Sequence, residues 1–141
     1  MRVFVDTSAL IALASRRDTN HGQALAIWSH LEEHQSELLT TDWVFGETVT
    51  FLRRRAGFET ARKVGDSIRA SSILEIVAGT PELVDRAWEV FLASGLPDLS
   101  FVDSLSFVVM RSLRISQVFT FDEHFVQAGF EVVRPPLSER G

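Results

Sequence analysis

Four carboxylates stand where an alternating α/β chain can bring them to one place. Asp6 ends the apolar run RVFVD, Asp122 follows QVFTF, Asp103 lies three residues after Ser100, and Glu47 borders Val44 and Phe51 in a helical stretch. Gathered in one cleft, they would repel one another by about 4 kcal/mol per close pair at an effective dielectric near 20, unless protons or a cation compensate. A divalent cation is the natural compensator. The chain has no cysteine, so only carboxylates and histidines remain as side-chain ligands, and an oxygen-rich set favours Mg²⁺ or Mn²⁺ over zinc. Such an ion lowers the pKa of an attacking water; alone, or with a second about 4 Å away, it stabilises the leaving oxygen of an in-line displacement. The matching chemistry is phosphodiester hydrolysis, with no side-chain nucleophile required.

Each acid also has a local role open to it. Asp6 can cap the first helix, although Thr7 and Ser8 can do so in its place and leave it free. Asp103 completes an S-x-x-D capping box with Ser100, and Asp122 can start a short helix at Glu123-His124-Phe125. Glu47 is harder to dismiss, because a glutamate at the edge of a core-facing arc pays for desolvation unless paired or bound to metal. No acid is decisive alone; their common placement is the argument.

The elements that must position them are legible from hydrophobic period and punctuation. A strand at Arg2 to Asp6 leads into a helix starting near Ala9, and a second helix runs from Gln23 to Glu33, with Ala24, Ile27, Trp28 and Leu31 on one face. A short strand at Leu38 to Thr41 precedes a helix capped by Asp42 and running to Arg55, whose apolar arc includes Val44, Phe45, Thr48, Val49, Phe51 and Leu52. Further helices are expected at Glu59 to Arg69, after Thr80-Pro81 as far as Gly95, and from Ser100. The remaining strands are expected at Ile73 to Val77, Gln117 to Phe121 and Glu131 to Val133. Strands alternating with helices imply an α/β chain: a three-layer α/β/α sandwich around a parallel sheet of four to five strands. Such sheets bind ligands beyond the carboxyl ends of their strands, where Asp6 and Asp122 fall.

At 141 residues, residues 1–141 read as one domain with an irregular tail over 135–141. No apolar run reaches the roughly 18 residues of a membrane span, and the N-terminus lacks a secretory pattern, so the cytoplasm is expected. The net charge is -5, which argues against a broad basic nucleic-acid surface. Lys63 is the only lysine, and Arg53, Arg54 and Arg55 form a block suited to phosphate or simply to a helix C-terminus.

At its acidic positions the sequence resembles the PIN-domain family, and within it the VapC-type toxins of bacterial toxin-antitoxin pairs. The likeness runs nearly end to end and rests on FVDTSAL with Asp6, FGETV with Glu47, LSFVDSLSF with Asp103 and VFTFDEHF with Asp122. It implies a PIN-like fold and a metal-dependent endoribonuclease, the toxin of a type II system, with Mg²⁺ or Mn²⁺ held by Asp6, Glu47, Asp103 and Asp122. Ser8 and Thr120 are implied to position a water or phosphate, and Arg53, Arg54 and Arg55 are candidate RNA contacts. It further implies a homodimer and a cognate antitoxin covering an apolar groove near the site. Ser104, after Asp103, departs mildly from the family, where a small apolar residue is usual.

Three rival readings have sequence support. His30-Leu31-Glu32-Glu33-His34 fits the H-x-x-E-H pattern of inverted zinc peptidases. A phosphoacceptor receiver domain would share the acidic pocket but lacks its final-strand lysine. A non-catalytic module would keep the fold and bind RNA or protein. His21 and His124 have no partner at ligand spacing and read as solvated or core-edge histidines.

Overall fold

The computed structural model describes residues 1–137. In chain order the elements are β1 (Arg2–Val5), α1 (Thr7–Ala14), α2 (His21–Glu33), β2 (Glu37–Thr41), α3 (Asp42–Ala56), α4 (Phe58–Ala70), β3 (Leu74–Val77), α5 (Pro81–Ala93), α6 (Phe101–Ser112), β4 (Gln117–Phe119), α7 (His124–Gln127) and β5 (Glu131–Val132). The strands form one sheet in the order β3-β2-β1-β4-β5, and every pairing is parallel. With helices on both faces, this is the expected α/β/α sandwich. Residues 135–137 carry no regular structure, as expected for the tail, and 138–141 lie outside the described residues.

The order of the strands decides where a ligand can sit. The chain steps outward from β1 through β2 to β3, then crosses back through α5 and α6 to place β4 on the other side of β1. The β1–β4 boundary is therefore the point at which the connections diverge, and their carboxyl ends open a crevice there. Val3, Phe4 and Val5 are fully buried beside Val118 and Phe119, as expected of central parallel strands covered on both faces. Helix α6 is almost engulfed: Asp103 through Met110 are all buried, which carries a carboxylate into the interior beside the sheet edge. Ser104, the mild departure from the family, is fully buried, and its hydroxyl donates to the Ser100 carbonyl at 3.3 Å. A hydroxyl satisfied within its own helix costs little here.

Several boundaries differ from the sequence-based expectation, each for a local reason. Asp6 itself is the α1 N-cap, its side chain accepting from the Ser8 amide, so the cap does not fall on Thr7 or Ser8. Thr41, not Asp42, caps α3, with its hydroxyl accepting from the Val44 amide at 3.1 Å. Asp42 instead accepts from the amides of Trp43 and Gly79, at 3.0 and 2.9 Å. Phe51 lies outside the core, 37% exposed, because only Val44, Thr48 and Leu52 of α3 are fully buried. Strand β4 stops at Phe119, three residues before Asp122. The Thr120 hydroxyl accepts from the Asp122 amide at 3.0 Å and turns the chain away from the sheet.

Candidate active site

Asp6 reaches the crevice because β1 delivers it there: its amide donates to the Phe119 carbonyl at 3.1 Å, continuing the β1–β4 pairing by one residue. Its side chain is then held from one side only. Oδ2 accepts from Thr120 Oγ1 at 2.8 Å, from Ser8 Oγ at 2.9 Å and from the Ser8 amide at 3.4 Å. Among the described residues no side-chain hydroxyl engages Oδ1. Ser8 Oγ also accepts from the Phe121 amide at 2.9 Å and lies 3.1 Å from Thr120 Oγ1. These two hydroxyls thus fix the carboxylate and the loop after β4 as one unit.

Asp103 enters from α6, with its amide donating to the capping hydroxyl of Ser100 at 3.0 Å. Burial pushes its carboxyl up to about 7, the negative charges of Asp6 and Asp122 push in the same direction, and hydrogen bonds with Ser100 partly oppose them. Burial likewise raises Asp6; hydrogen bonds from Thr120, Ser8 and Thr7 oppose the rise and the charge of Asp122 adds to it. The charge of Asp122 acting on both Asp6 and Asp103, and that of Asp6 on Asp103, place these three carboxyls near one another. Glu47 is not part of that close group. It is half-buried on α3 and lines a neighbouring cleft of about 660 Å³ with Asp42, Trp43, Gly46, Thr50, Phe51, Arg54 and Val102. Among the described residues it makes no hydrogen bond or ion pair with the other acids. Val102, next to Asp103, links the two regions.

His124 corrects the expectation that it has no partner. Its Nδ1 lies 2.8 Å from Asp122 Oδ1 and 3.6 Å from Asp103 Oδ2, while Nε2 donates to the Pro97 carbonyl at 2.7 Å. The bond to Pro97 raises its pKa; Asp122 and Asp103 also raise it, against a lowering by desolvation. Aspartate two residues before a histidine was the signal present in the sequence. The Asp122 side chain accepts from the His124 amide at 2.9 Å, and that turn brings the ring back beside the carboxylate. His21, in contrast, is occupied by the Ala12 carbonyl at 2.7 Å.

The donors suit a divalent cation. One ligand atom each from Asp103, Asp122 and His124 lies within 4.8 Å of the others, and Asp6 adjoins them. Nδ1 of His124 is buried and lacks a hydrogen-bond partner of good geometry, so it faces two carboxylates with capacity to spare. Their carboxylate oxygens are the donors that Mn²⁺ and Mg²⁺ prefer. His30 and His34, the rival zinc pair, merely pack ring against ring at 4.1 Å, and His34 Nδ1 bonds the His30 carbonyl. No third ligand joins them among the described residues. The arginine block is dispersed: Arg53 sits over Phe58, Arg54 lines the cleft of Glu47, and Arg55 sits over Phe51.

A doubly covered parallel sheet with buried acids at its switch point defines an α/β protein built around an acidic, cation-accepting centre. The chain belongs to the PIN-domain family, whose profile matches residues 3–131. It is 38% identical over 133 residues to the 23S rRNA-specific endonuclease VapC20 of Mycobacterium tuberculosis, covering 94% of this chain and 98% of that one. It is 28% identical to a VapC ribonuclease of Archaeoglobus fulgidus over 89% of this chain and 80% of the relative. The crystal structure of M. tuberculosis VapC20, described as a toxin that cleaves the sarcin-ricin loop, superposes with a TM-score of 0.84. That match has 36% identity and covers 94% of this chain and 99% of the other.

Proposed function

We propose that this protein is an endoribonuclease that hydrolyses phosphodiester bonds with Mg²⁺ or Mn²⁺, and that it is the toxin of a type II toxin-antitoxin pair. The observation that carries this reading is the convergence of Asp6, Asp103 and Asp122 at the β1–β4 crevice, where burial first, and then the charges of Asp6 and Asp122, raise the Asp103 carboxyl to about 7. Asp6, Asp103 and Asp122 would hold the ion, with Glu47 contributing from α3 on the side of the substrate. When bound, the ion supplies Lewis-acid polarisation of the phosphate and a lowered pKa for the attacking water. The chain's own contribution is positional. Ser8 and Thr120 lock Oδ2 of Asp6 and thereby aim Oδ1, and Pro97 anchors His124 so that Nδ1 sits between Asp122 and Asp103.

The substrate proposed is the sarcin-ricin loop of 23S rRNA, on the strength of the likeness to VapC20 over nearly the full length of both chains. We further place the protein in the cytoplasm, as a homodimer held in check by a cognate antitoxin. No helix among the described residues is long and apolar enough to cross a membrane. An apolar cleft of about 290 Å³ lined by Leu10, Leu13, Trp28, Val64, Ile68 and Leu74 offers the antitoxin a seat. Purified protein is incubated with total rRNA and with a synthetic sarcin-ricin hairpin in Mg²⁺, Mn²⁺ or EDTA, with Asp6→Asn in parallel. Cleavage that needs the metal and disappears with Asp6→Asn is expected. Intact RNA in every lane, from folded protein, would overturn the enzymatic reading in favour of a binding module.

A further inference from the structure

A cationic concavity of this acidic chain lies outside the group of Asp6, Asp103 and Asp122. A cleft of about 750 Å³ is lined by Ile11, Ser15, Arg16, Arg17, Phe51 and Arg55, among others, where the C-terminal end of α1 meets that of α3. Three guanidinium groups face one carboxylate there, Asp18, whose Oδ1 accepts from the Asn20 amide at 2.8 Å. Among the described residues Arg16, Arg17 and Arg55 are exposed and form no ion pair. Arg55 is nevertheless held in place, its guanidinium 5.3 Å from the centre of the Phe51 ring. In a chain with a net charge of -5, three unpaired arginines around one hollow create a local field of the opposite sign, suited to anions with several oxygens.

Helices α1 and α3 each run from an acid or its partner toward this cleft. On α1, Ser8, Ile11 and Ser15 follow one another at i, i+3 and i+7, from the hydroxyl that holds Asp6 to the rim of the cleft. On α3, Glu47, Phe51 and Arg55 follow at i, i+4 and i+8. Phe51 lines both the cleft of Glu47 and the cleft of arginines. Glu47 and Arg55 are separated by about 12 Å along the helix axis, a spacing of a few nucleotides. We infer that the hollow formed by Arg16, Arg17 and Arg55 binds backbone phosphates of the RNA a few nucleotides from the bond that is cut. This inference rests on the ribonuclease reading and assigns that reading a second contact region. It also singles out Arg55 from the arginine block and adds two residues from the α1–α2 connection.

The test uses full-length protein carrying Asp6→Asn, so that the sarcin-ricin hairpin stays intact, with binding measured by fluorescence anisotropy across a range of salt. Adding Arg16→Gln, Arg17→Gln and Arg55→Gln is expected to weaken binding about tenfold or more at low salt. The slope of log affinity against log salt should become shallower by about two, at roughly 0.7 per lost single-strand phosphate contact. A control with Arg62→Gln, Arg69→Gln and Arg86→Gln carries the same charge change outside the cleft, and circular dichroism verifies folding of both. Equal losses in the two triple variants would reduce the effect to net charge and overturn the inference. So would an unchanged slope in the cleft variant, the result expected if the hollow takes an acidic protein segment. Wild-type protein is assayed for cleavage of the same hairpin. Cleavage there with no binding defect in the cleft variant sinks this inference alone, whereas no cleavage with any metal sinks the ribonuclease reading beneath it.

Discussion

Thr120 Oγ1 donates to Asp6 Oδ2 at 2.8 Å, joining the end of the first strand to the loop after the fourth across 114 residues of sequence. Both residues are nearly inaccessible, Asp6 at 2% and Thr120 at 3%. A hydrogen bond to a buried carboxylate is among the stronger kind, and leaving its acceptor unmatched carries the full desolvation penalty. Thr120→Val preserves shape and removes the donor. Thermal unfolding should show a loss of about 1–3 kcal/mol, together with reduced cleavage, whereas Thr120→Ser should stay close to wild type in both. A Thr120→Val protein as stable and active as wild type would mean that Ser8 alone suffices to hold Asp6.

The raised pKa of Asp103 has a definite sign for stability. A carboxyl whose folded pKa lies near 7, against 3.8 for an unperturbed aspartate, holds its proton more tightly when folded, so the folded state binds more protons through that window. Stability of the metal-free protein should therefore fall as pH rises from about 4 to about 7 and level off above it. Mg²⁺ or Mn²⁺ relieves the repulsion, so saturating metal should raise the melting temperature more at pH 8 than at pH 5. Asp103→Asn should flatten the metal-free profile while abolishing cleavage. A metal-free protein that grows more stable between pH 5 and pH 7 would contradict this account.

The parts of this site that sequence could reveal are those fixed by short-range rules. A valine-rich run ending in aspartate places Asp6 at a strand's carboxyl end, and S-x-x-D places Asp103 in the first turn of a helix; both positions are occupied as read. What escaped was set by contacts between distant segments. The apolar alternation of QVFTF continues past Phe119, yet the Thr120 hydroxyl is engaged by Asp6 and by the Asp122 amide, so the strand stops early. The setting of His124 is not local either: Pro97, whose carbonyl holds its Nε2, lies 27 residues upstream. The block Arg53-Arg54-Arg55 read as one feature, but successive residues on a helix point about 100° apart and so face different surroundings.

Gly79 offers a test of how α3 is positioned. A Cβ at that residue would lie 2.9 Å from Trp43 Cδ1 and 3.2 Å from Leu105 Cδ2, and its amide is tied to Asp42. Trp43 is 40% exposed and can yield, so Gly79→Ala should cost about 1–3 kcal/mol rather than prevent folding. The displaced indole should change the tryptophan emission, and Trp43→Phe should remove that spectral difference. Unchanged emission and melting temperature in Gly79→Ala would show that the β3–α5 loop moves freely away from α3.

The geometry ranks the four acids, and kinetics can test the ranking. The charges of Asp6 and Asp122 both raise the proton affinity of Asp103, and that of Asp122 raises Asp6, so the three carboxyls lie within effective Coulomb range. Glu47 lies in a neighbouring cleft, which it shares with Arg54. Neutralising any of the three should remove direct support for the cation, worth several kcal/mol of transition-state stabilisation, or about a hundredfold to ten-thousandfold in kcat. Glu47→Gln should cost less, about tenfold, and should appear more in KM than in kcat, as expected of a group that guides the substrate from the side. Equal losses in kcat for Glu47→Gln and Asp103→Asn would place Glu47 on the cation in the working complex.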